Sequence, residues 1–245
     1  MKNILIADNR ADLLATLEPI LKHWGYRVLS TCKADQVMAF LKESIPCLLI
    51  IGEELFADPN LAFDPEVTKR IKSKDLPVIA LKQNGAKAAK LSPSETLEVP
   101  VELFELFSFI QRQVEKHPRQ NLRLRLKLPG MYSVEDEEFI LADVLSLSMH
   151  GLLFKAPTRA KKGDRITVVF PLLGQCKEIE VDSTVLYTIQ PEANNNFFQG
   201  FGVGFDDIPA EHSEQLQQFI RNHLLNEVSA NRDGVGNFAE EQLKG

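Results

Sequence analysis

A chain of 245 residues has room for one or two domains, and its 44% hydrophobic and 25% charged residues are ordinary for globular protein. A net charge of −6 argues against coating nucleic acid through an overall field, and no apolar run approaches the roughly 20 residues needed to cross a bilayer. Met1-Lys2 leads straight into Ile4–Ala7 and then Asp8, which predicts no signal peptide and a cytoplasmic protein. The cysteines, Cys32, Cys47 and Cys176, are odd in number and widely spaced. They predict reduced core residues rather than disulfides or a metal knuckle, and the histidines show no ligand spacing.

Ile4–Ala7 reads as a buried strand. Residues 11–24 repeat apolar positions at helical spacing (Leu13, Leu14, Leu17, Ile20, Leu21, Trp24) and stop at Gly25. Arg27–Ser30 is a second strand, Asp35–Leu41 a second helix, Leu48–Ile51 a third strand, residues 66–72 a short helix and Val78–Leu81 a fourth strand. This alternation predicts a doubly wound α/β fold, a parallel sheet with helices on both faces. Residues 83–96 leave room for at most a stunted helix. From Val101 to Lys116 runs a helix rich in large apolar groups (Leu103, Phe104, Leu106, Phe107, Phe109, Ile110, Val114), a stripe wider than one buried face requires. Packing on its own sheet accounts for part of it; an interdomain or homodimer contact through helix 101–116 could account for the rest. Pro118 ends the helix.

Composition changes here. Lys116, Arg119, Arg123, Arg125 and Lys127 follow with no acidic residue in 116–128, which places a junction at 116–121. The period then becomes two: Leu122, Leu124, Leu126 and Leu128 alternate with Arg123, Arg125 and Lys127. Further strand-like runs at 138–147, 151–155, 164–171, 177–189 and 197–205, separated by turn residues, predict an all-β small barrel, closed by a helix over 210–227. The expected domains are 1–116 and 117–228, with 229–245 a disordered tail poor in apolar pattern.

The first half carries Ile4-Leu-Ile-Ala-Asp8-Asn9, Gly25-Tyr26, Pro46-Cys-Leu-Leu-Ile-Ile-Gly52, Pro77-Val-Ile-Ala-Leu81 and Val99-Pro100. In this order the strings resemble a response-regulator receiver domain. Receivers accept a phosphoryl group on an aspartate, with magnesium held by further carboxylates and a lysine that neutralises charge. Here the acceptor position is Gly52, the Ser/Thr position Lys82, the lysine position Val99 and the second paired acid Asn9; only Asp8 remains. No phosphorylation is expected. Lys82 could pair internally with Asp8 or simply be solvated.

In the second half, Arg119-Gln-Asn-Leu-Arg123 and Ser146-Leu-Ser148-Met-His-Gly151 precede Phe201-Gly-Val-Gly-Phe205. These strings resemble the RxxxR and (D/N)xSxxG motifs of PilZ domains, which bind cyclic di-GMP. Arginine suits that ligand, because its planar fork donates paired bonds to phosphate oxygens or to guanine O6 and N7. Arg119 and Arg123 share strand parity, so in an extended chain they point the same way about 13 Å apart. Ser148 can donate and accept a hydrogen bond, and Gly151 permits close backbone approach or positive φ. The chain departs from the family at Ser146, where the family has Asp or Asn. The shorter neutral side chain should cost on the order of 1–2 kcal/mol, about tenfold in affinity. His150, at a variable motif position, is expected to face outward.

The resemblance implies a non-enzymatic effector, without metal or cofactor, that binds cyclic di-GMP through Arg119, Arg123, Ser146, Ser148 and Gly151. The receiver-like half would present a surface to an unidentified protein partner or a second copy. The residues themselves leave an alternative open: Arg123, Arg125 and Lys127 as the solvated face of a strand, in a ligand-free protein-interaction scaffold. Nucleic-acid binding ranks low, since the basic strand has no interleaved aromatics.

Overall fold

The computed structural model describes residues 2–58, 61, 63, 65–83, 92–135, 137–157, 160–172 and 177–230. The chain divides into two compact units: Met1–Gln120 with the segment beginning at Leu225, and Asn121–Leu224.

The first unit is built on a parallel sheet of strands β1 (Asn3–Ala7), β2 (Arg27–Thr31), β3 (Leu48–Gly52), β4 (Val78–Lys82) and β5 (Glu95–Glu98), in the order β2-β1-β3-β4-β5. This is the doubly wound order of flavodoxins and receivers, whose ligands gather at the carboxyl ends of β1 and β3 where the winding reverses. Central strands covered on both faces need unbroken apolar runs. Ile4–Ala7, Leu48–Ile51 and Val78–Leu81 supply them, every residue being buried. Helices α1 (Ala11–His23), α2 (Ala34–Glu43), the single turn α3 (Glu53–Phe56), α4 (Pro65–Lys72) and α5 (Leu103–Val114) complete the unit. Helix α1 stops where Gly25 takes φ +91°, a left-handed turn that glycine adopts without a Cβ penalty.

Three expectations change here. Residues 95–98 form an unexpected fifth strand, which overlaps the end of the 83–96 stretch; its edge position needs only Leu97 to face the core, with exposed Thr96 and Glu98 beside it. Residues 84–91 lie outside the described residues. Helix α5 ends at Val114, before Pro118 can act, with Glu115 already extended. Its stripe is partly explained within the unit: Leu103, Leu106, Phe107 and Ile110 are buried, Phe107 meets Trp24 edge-on at 5.1 Å, and the Arg112 guanidinium lies over Phe109 at 4.6 Å. The cysteine expectation also fails in part. Cys32 is exposed and Cys47 half-buried, while Cys176 lies outside the described residues.

The second unit is a closed antiparallel barrel of β6 (Leu124–Val134), β7 (Ile140–Ser148), β8 (Gly151–Lys155), β9 (Arg165–Leu172), β10 (Lys177–Ile189) and β11 (Gly200–Phe205), ordered β10-β11-β8-β7-β6-β9. Inward positions alternate with outward ones along each strand. At the centre Tyr132, Phe154 and Phe201, all fully buried, form a trio with ring separations of 5.8, 4.9 and 5.5 Å. The Tyr132 hydroxyl donates to the Pro157 carbonyl at 3.1 Å, so the buried phenol is not left unpaired. Glycine at 130 makes room for this cluster: a Cβ there would come within 3.0 Å of the Phe154 ring and of Val144. Bulges interrupt the ladders between Arg125 and Leu128, Val144 and Ser146, and Val185 and Tyr187.

Helix α6 (Ala210–Ala230) follows, burying Leu216, Phe219, Ile220, Leu224 and Val228 at helical spacing. Its end corrects the expected tail. Ser229 and Ala230 are helical, and the Ser229 hydroxyl donates to the Leu225 carbonyl at 2.8 Å. The remainder of that segment, 231–245, lies outside the described residues. Among the described residues no helix is long and apolar enough to cross a membrane.

The aromatic trio is expected to carry the barrel. Phe154→Ala should cost about 3–5 kcal/mol in urea unfolding; a loss below about 1 kcal/mol would place the barrel's stability elsewhere.

Candidate ligand-binding site

At the carboxyl ends of β1 and β3, Asp8 is 2% exposed. A carboxylate so placed must be paired. Its partner is Arg10, whose Nε donates to Oδ1 at 2.8 Å and Nη2 to Oδ2 at 2.7 Å, while the Arg10 amide also donates to Oδ1 at 2.9 Å. The fork-to-fork geometry is the strong form of this bond. Hydrogen bonding to Asp8 holds the guanidinium above its ordinary pKa; burial opposes this, and the charges of Asp8 and Glu54 reinforce it. The proposed pairing of Asp8 with Lys82 is therefore corrected. Lys82 is exposed, on a strand separated from β1 by β3, whereas Arg10 follows Asp8 by two residues. The solvated-lysine alternative stands.

Gly52, at the acceptor position, fits this arrangement sterically. A Cβ there would lie 2.4 Å from Asp8 Oδ2 and 2.9 Å from its Cγ. The cavity left between Asp8, Arg10, Gly52, Glu53 and Leu81 measures about 10 Å³, room for one water molecule at most. The guanidinium sets a positive charge against Asp8, and the carboxylate occupies the space that a side chain at residue 52 would need. Among the described residues no three of His, Cys, Asp and Glu converge as metal ligands.

Where the first unit reaches Gln120, a partly buried polar chain ties down the start of the basic string. Lys2 Nζ donates to Glu115 Oε2 at 2.8 Å, the Tyr26 hydroxyl to Glu115 Oε1 at 3.1 Å, Gln111 Nε2 to the Tyr26 oxygen at 3.0 Å, and the Arg119 amide to Gln111 Oε1 at 2.9 Å. Burial, with the Glu115 charge beside it, raises the Tyr26 phenol above its usual range. The Lys2 hydrogen bond lowers Glu115 below the usual carboxylate range; burial opposes the shift, and Tyr26 and the charges of Lys2 and Arg119 assist it. Spacing could have suggested none of this, since the partners lie up to 113 residues apart.

The Arg119 side chain is exposed and makes no hydrogen bond among the described residues. Arg123 is likewise exposed, just before β6 begins at Leu124. Neither arginine lies in a strand, so the parity argument for their pointing the same way does not apply. In β7, the bulge after Val144 leaves Ser146 half-buried with no hydrogen-bond partner among the described residues. Ser148 is 6% exposed, and its hydroxyl donates to the Gly151 carbonyl at 3.0 Å, closing the β7–β8 turn. Gly151 serves close backbone approach rather than positive φ: a Cβ would fall 2.1 Å from the Val203 carbonyl oxygen of β11. His150, at the same turn, is exposed.

The residue that motif reading passed over is Arg125. It is exposed and pairs in register with Ser146, and its side chain makes no hydrogen bond or ion pair among the described residues. Its signal was the shared parity with Arg123 in an acid-free stretch. A groove of about 520 Å³ on the barrel unit has the wrong sign for a phosphate: Glu135, Asp182, Asp206 and Asp207 line it against a single Arg165.

Two outcomes follow. Gly52→Asp should remain unmodified by acetyl phosphate and magnesium in intact-mass measurements, and should melt below the parent; a stoichiometric phosphoryl adduct would contradict the steric account. Because Glu115 is depressed in the folded state, its contribution is present above the ordinary carboxylate pKa and fades as pH falls through the lowered value. Lys2→Ala should therefore raise the Glu115 midpoint in an NMR titration, and an unmoved midpoint would remove Lys2 as the cause.

Residues 113–222 match the PilZ domain family. No curated protein matches the chain. Among solved structures, it is similar to the inhibitor of motility from Bacillus subtilis, with 18% identity over 45% of this chain and 53% of that one and a TM-score of 0.40. It is similar to the PilZ domain of YcgR from Escherichia coli, solved with c-di-GMP, with 16% identity over 49% and 100% and a TM-score of 0.39. A signal receiver domain from Vibrio parahaemolyticus matches at 16% identity over 47% and 91%, with a TM-score of 0.38. The chain spans about half the length of the B. subtilis protein. Family match and strand order together identify the two halves: the chain joins a receiver-like α/β domain lacking the acceptor aspartate to a PilZ domain across residues 113–222.

Proposed function

We propose that this protein is a non-enzymatic cytoplasmic effector whose PilZ domain binds cyclic di-GMP through Arg119, Arg123, Ser146, Ser148 and Gly151. The observation that carries the reading is the state of the arginines in that domain. The Arg119 and Arg123 side chains make no hydrogen bond or close ion pair among the described residues, and only Glu115, through its charge, acts on Arg119. A fork without a hydrogen-bonded partner is available to phosphate oxygens and to guanine O6 and N7 without first breaking an internal pair. The free hydroxyl of Ser146 adds a short donor and acceptor on β7. Ser148 and Gly151 shape the turn beside it, and the Ser148 oxygen can still accept a bond while it donates to Gly151.

In this reading the receiver-like half transmits rather than receives. Its phosphoryl site is closed by Arg10 and Asp8, so its input comes from the messenger and its output is a surface. Helix α5, whose Phe104 and Phe109 are half-exposed, is the surface we assign to a protein partner or a second copy. The competing reading, a ligand-free scaffold, draws on the two substitutions at functional positions, Gly52 and Ser146.

Calorimetric titration of the full chain separates the two. Saturable binding of cyclic di-GMP that weakens at least about tenfold in Arg119→Ala and in Arg123→Ala is expected. Absence of heat at high micromolar ligand would favour the scaffold.

A further inference from the structure

The barrel's register sets one more residue where the ligand would lie, outside both motifs. Arg125 stands opposite Ser146 across the β6–β7 ladder, and Ser146 stands opposite the half-exposed Leu153 of β8. Opposed residues of an antiparallel pair project from the same face with Cβ atoms about 4.5–5.5 Å apart. The side chains of Arg125 and Ser146 each lack a hydrogen bond or ion pair among the described residues. The next cation along the strand differs, since Lys127 Nζ lies 3.6 Å from Asp143 Oδ2. An aspartate at 146 would place a carboxylate beside Arg125 and close on it. Serine is too short and carries no charge, so the guanidinium stays open.

That pairing has a chemical consequence. Guanine offers N–H donors on one edge, which need an acceptor, and O6 and N7 acceptors on the other, which need a donor fork. Arg125 and Ser146 together supply five N–H donors and a single hydroxyl, with no carboxylate. They suit the O6/N7 edge and have little to offer the 2-amino group. Resting on the cyclic di-GMP reading above, we infer that Arg125 is a specificity-determining residue of this site. Its fork takes O6 and N7 of one guanine beside Ser146 and against Leu153, so that the base is recognised by its acceptor edge and its 2-amino group goes unread.

The test is calorimetry on the full chain with three probes: cyclic di-GMP, cyclic di-IMP, which lacks the 2-amino groups, and the 7-deazaguanine analogue, which lacks N7. Cyclic di-IMP should bind within about threefold of cyclic di-GMP. Arg125→Ala should weaken cyclic di-GMP about tenfold or more, as loss of a bidentate guanine contact does. Lys127→Ala, an equal charge change two residues along the same strand, should stay within about threefold. The 7-deaza penalty should also shrink at least about fivefold in Arg125→Ala, which a merely electrostatic or structural role would not produce. Equal effects of the two substitutions, an unchanged 7-deaza penalty, or tenfold weaker cyclic di-IMP would each overturn the inference while leaving cyclic di-GMP binding intact. No saturation of the parent by cyclic di-GMP would overturn both the inference and the reading beneath it.

Discussion

Whether a guanidinium is closed on a carboxylate or left open governs what each half of this protein can do. A carboxylate taken out of water must find a cation. In the α/β unit that demand is met from within, since Asp8 is 2% exposed and takes three bonds from Arg10. Once met, the pair leaves a cavity of about 10 Å³ between Asp8, Arg10 and Gly52. In the barrel unit the opposite condition holds. Arg123 and Arg125 emerge in a stretch with no acid, and Asp143, on the neighbouring strand, lies 3.6 Å from Lys127.

The sheet order and its buried strands are demanded by packing, and they survive whatever stands at the carboxyl ends of β1 and β3. Glycine at 52 follows from the same logic: with Asp8 turned in to meet Arg10, any larger residue there would collide with the carboxylate. The Lys2–Glu115–Tyr26–Gln111 chain extends that rigidity to the amide of Arg119. The first arginine of the basic string therefore leaves a fixed point with its backbone held and its side chain in solvent.

Much of the fold was legible because burial on two faces writes itself as unbroken apolar runs, and burial on one face as alternation. Strands β1, β3 and β4 and the barrel's β6 to β11 were readable on those grounds. Strand β5 was not, because an edge strand with one inward leucine carries almost no apolar signature. The site was legible only where a motif named it. Arg10 was missed because its role depends on Asp8 turning inward, and Arg125 because its neighbour is fixed by register. Bulges after Arg125 and after Val144 set that register, and a single extra residue reverses which side chains share a face. Ser148 and Gly151 were named from the motif as ligand-binding residues, whereas the atoms they approach within the barrel, the Gly151 carbonyl and the Val203 carbonyl, are set by the folded chain.

The central claim is that open guanidiniums in the PilZ domain hold an anionic dinucleotide while the closed one in the receiver-like domain stays out of it. Side-chain Nε–Hε resonances of the arginines, followed by NMR as cyclic di-GMP is added, test this most directly. The account predicts that Arg119, Arg123 and Arg125 shift and become protected from exchange with water while Arg10, already bonded to Asp8, stays where it was. Saturating ligand that leaves those three resonances unmoved would contradict it.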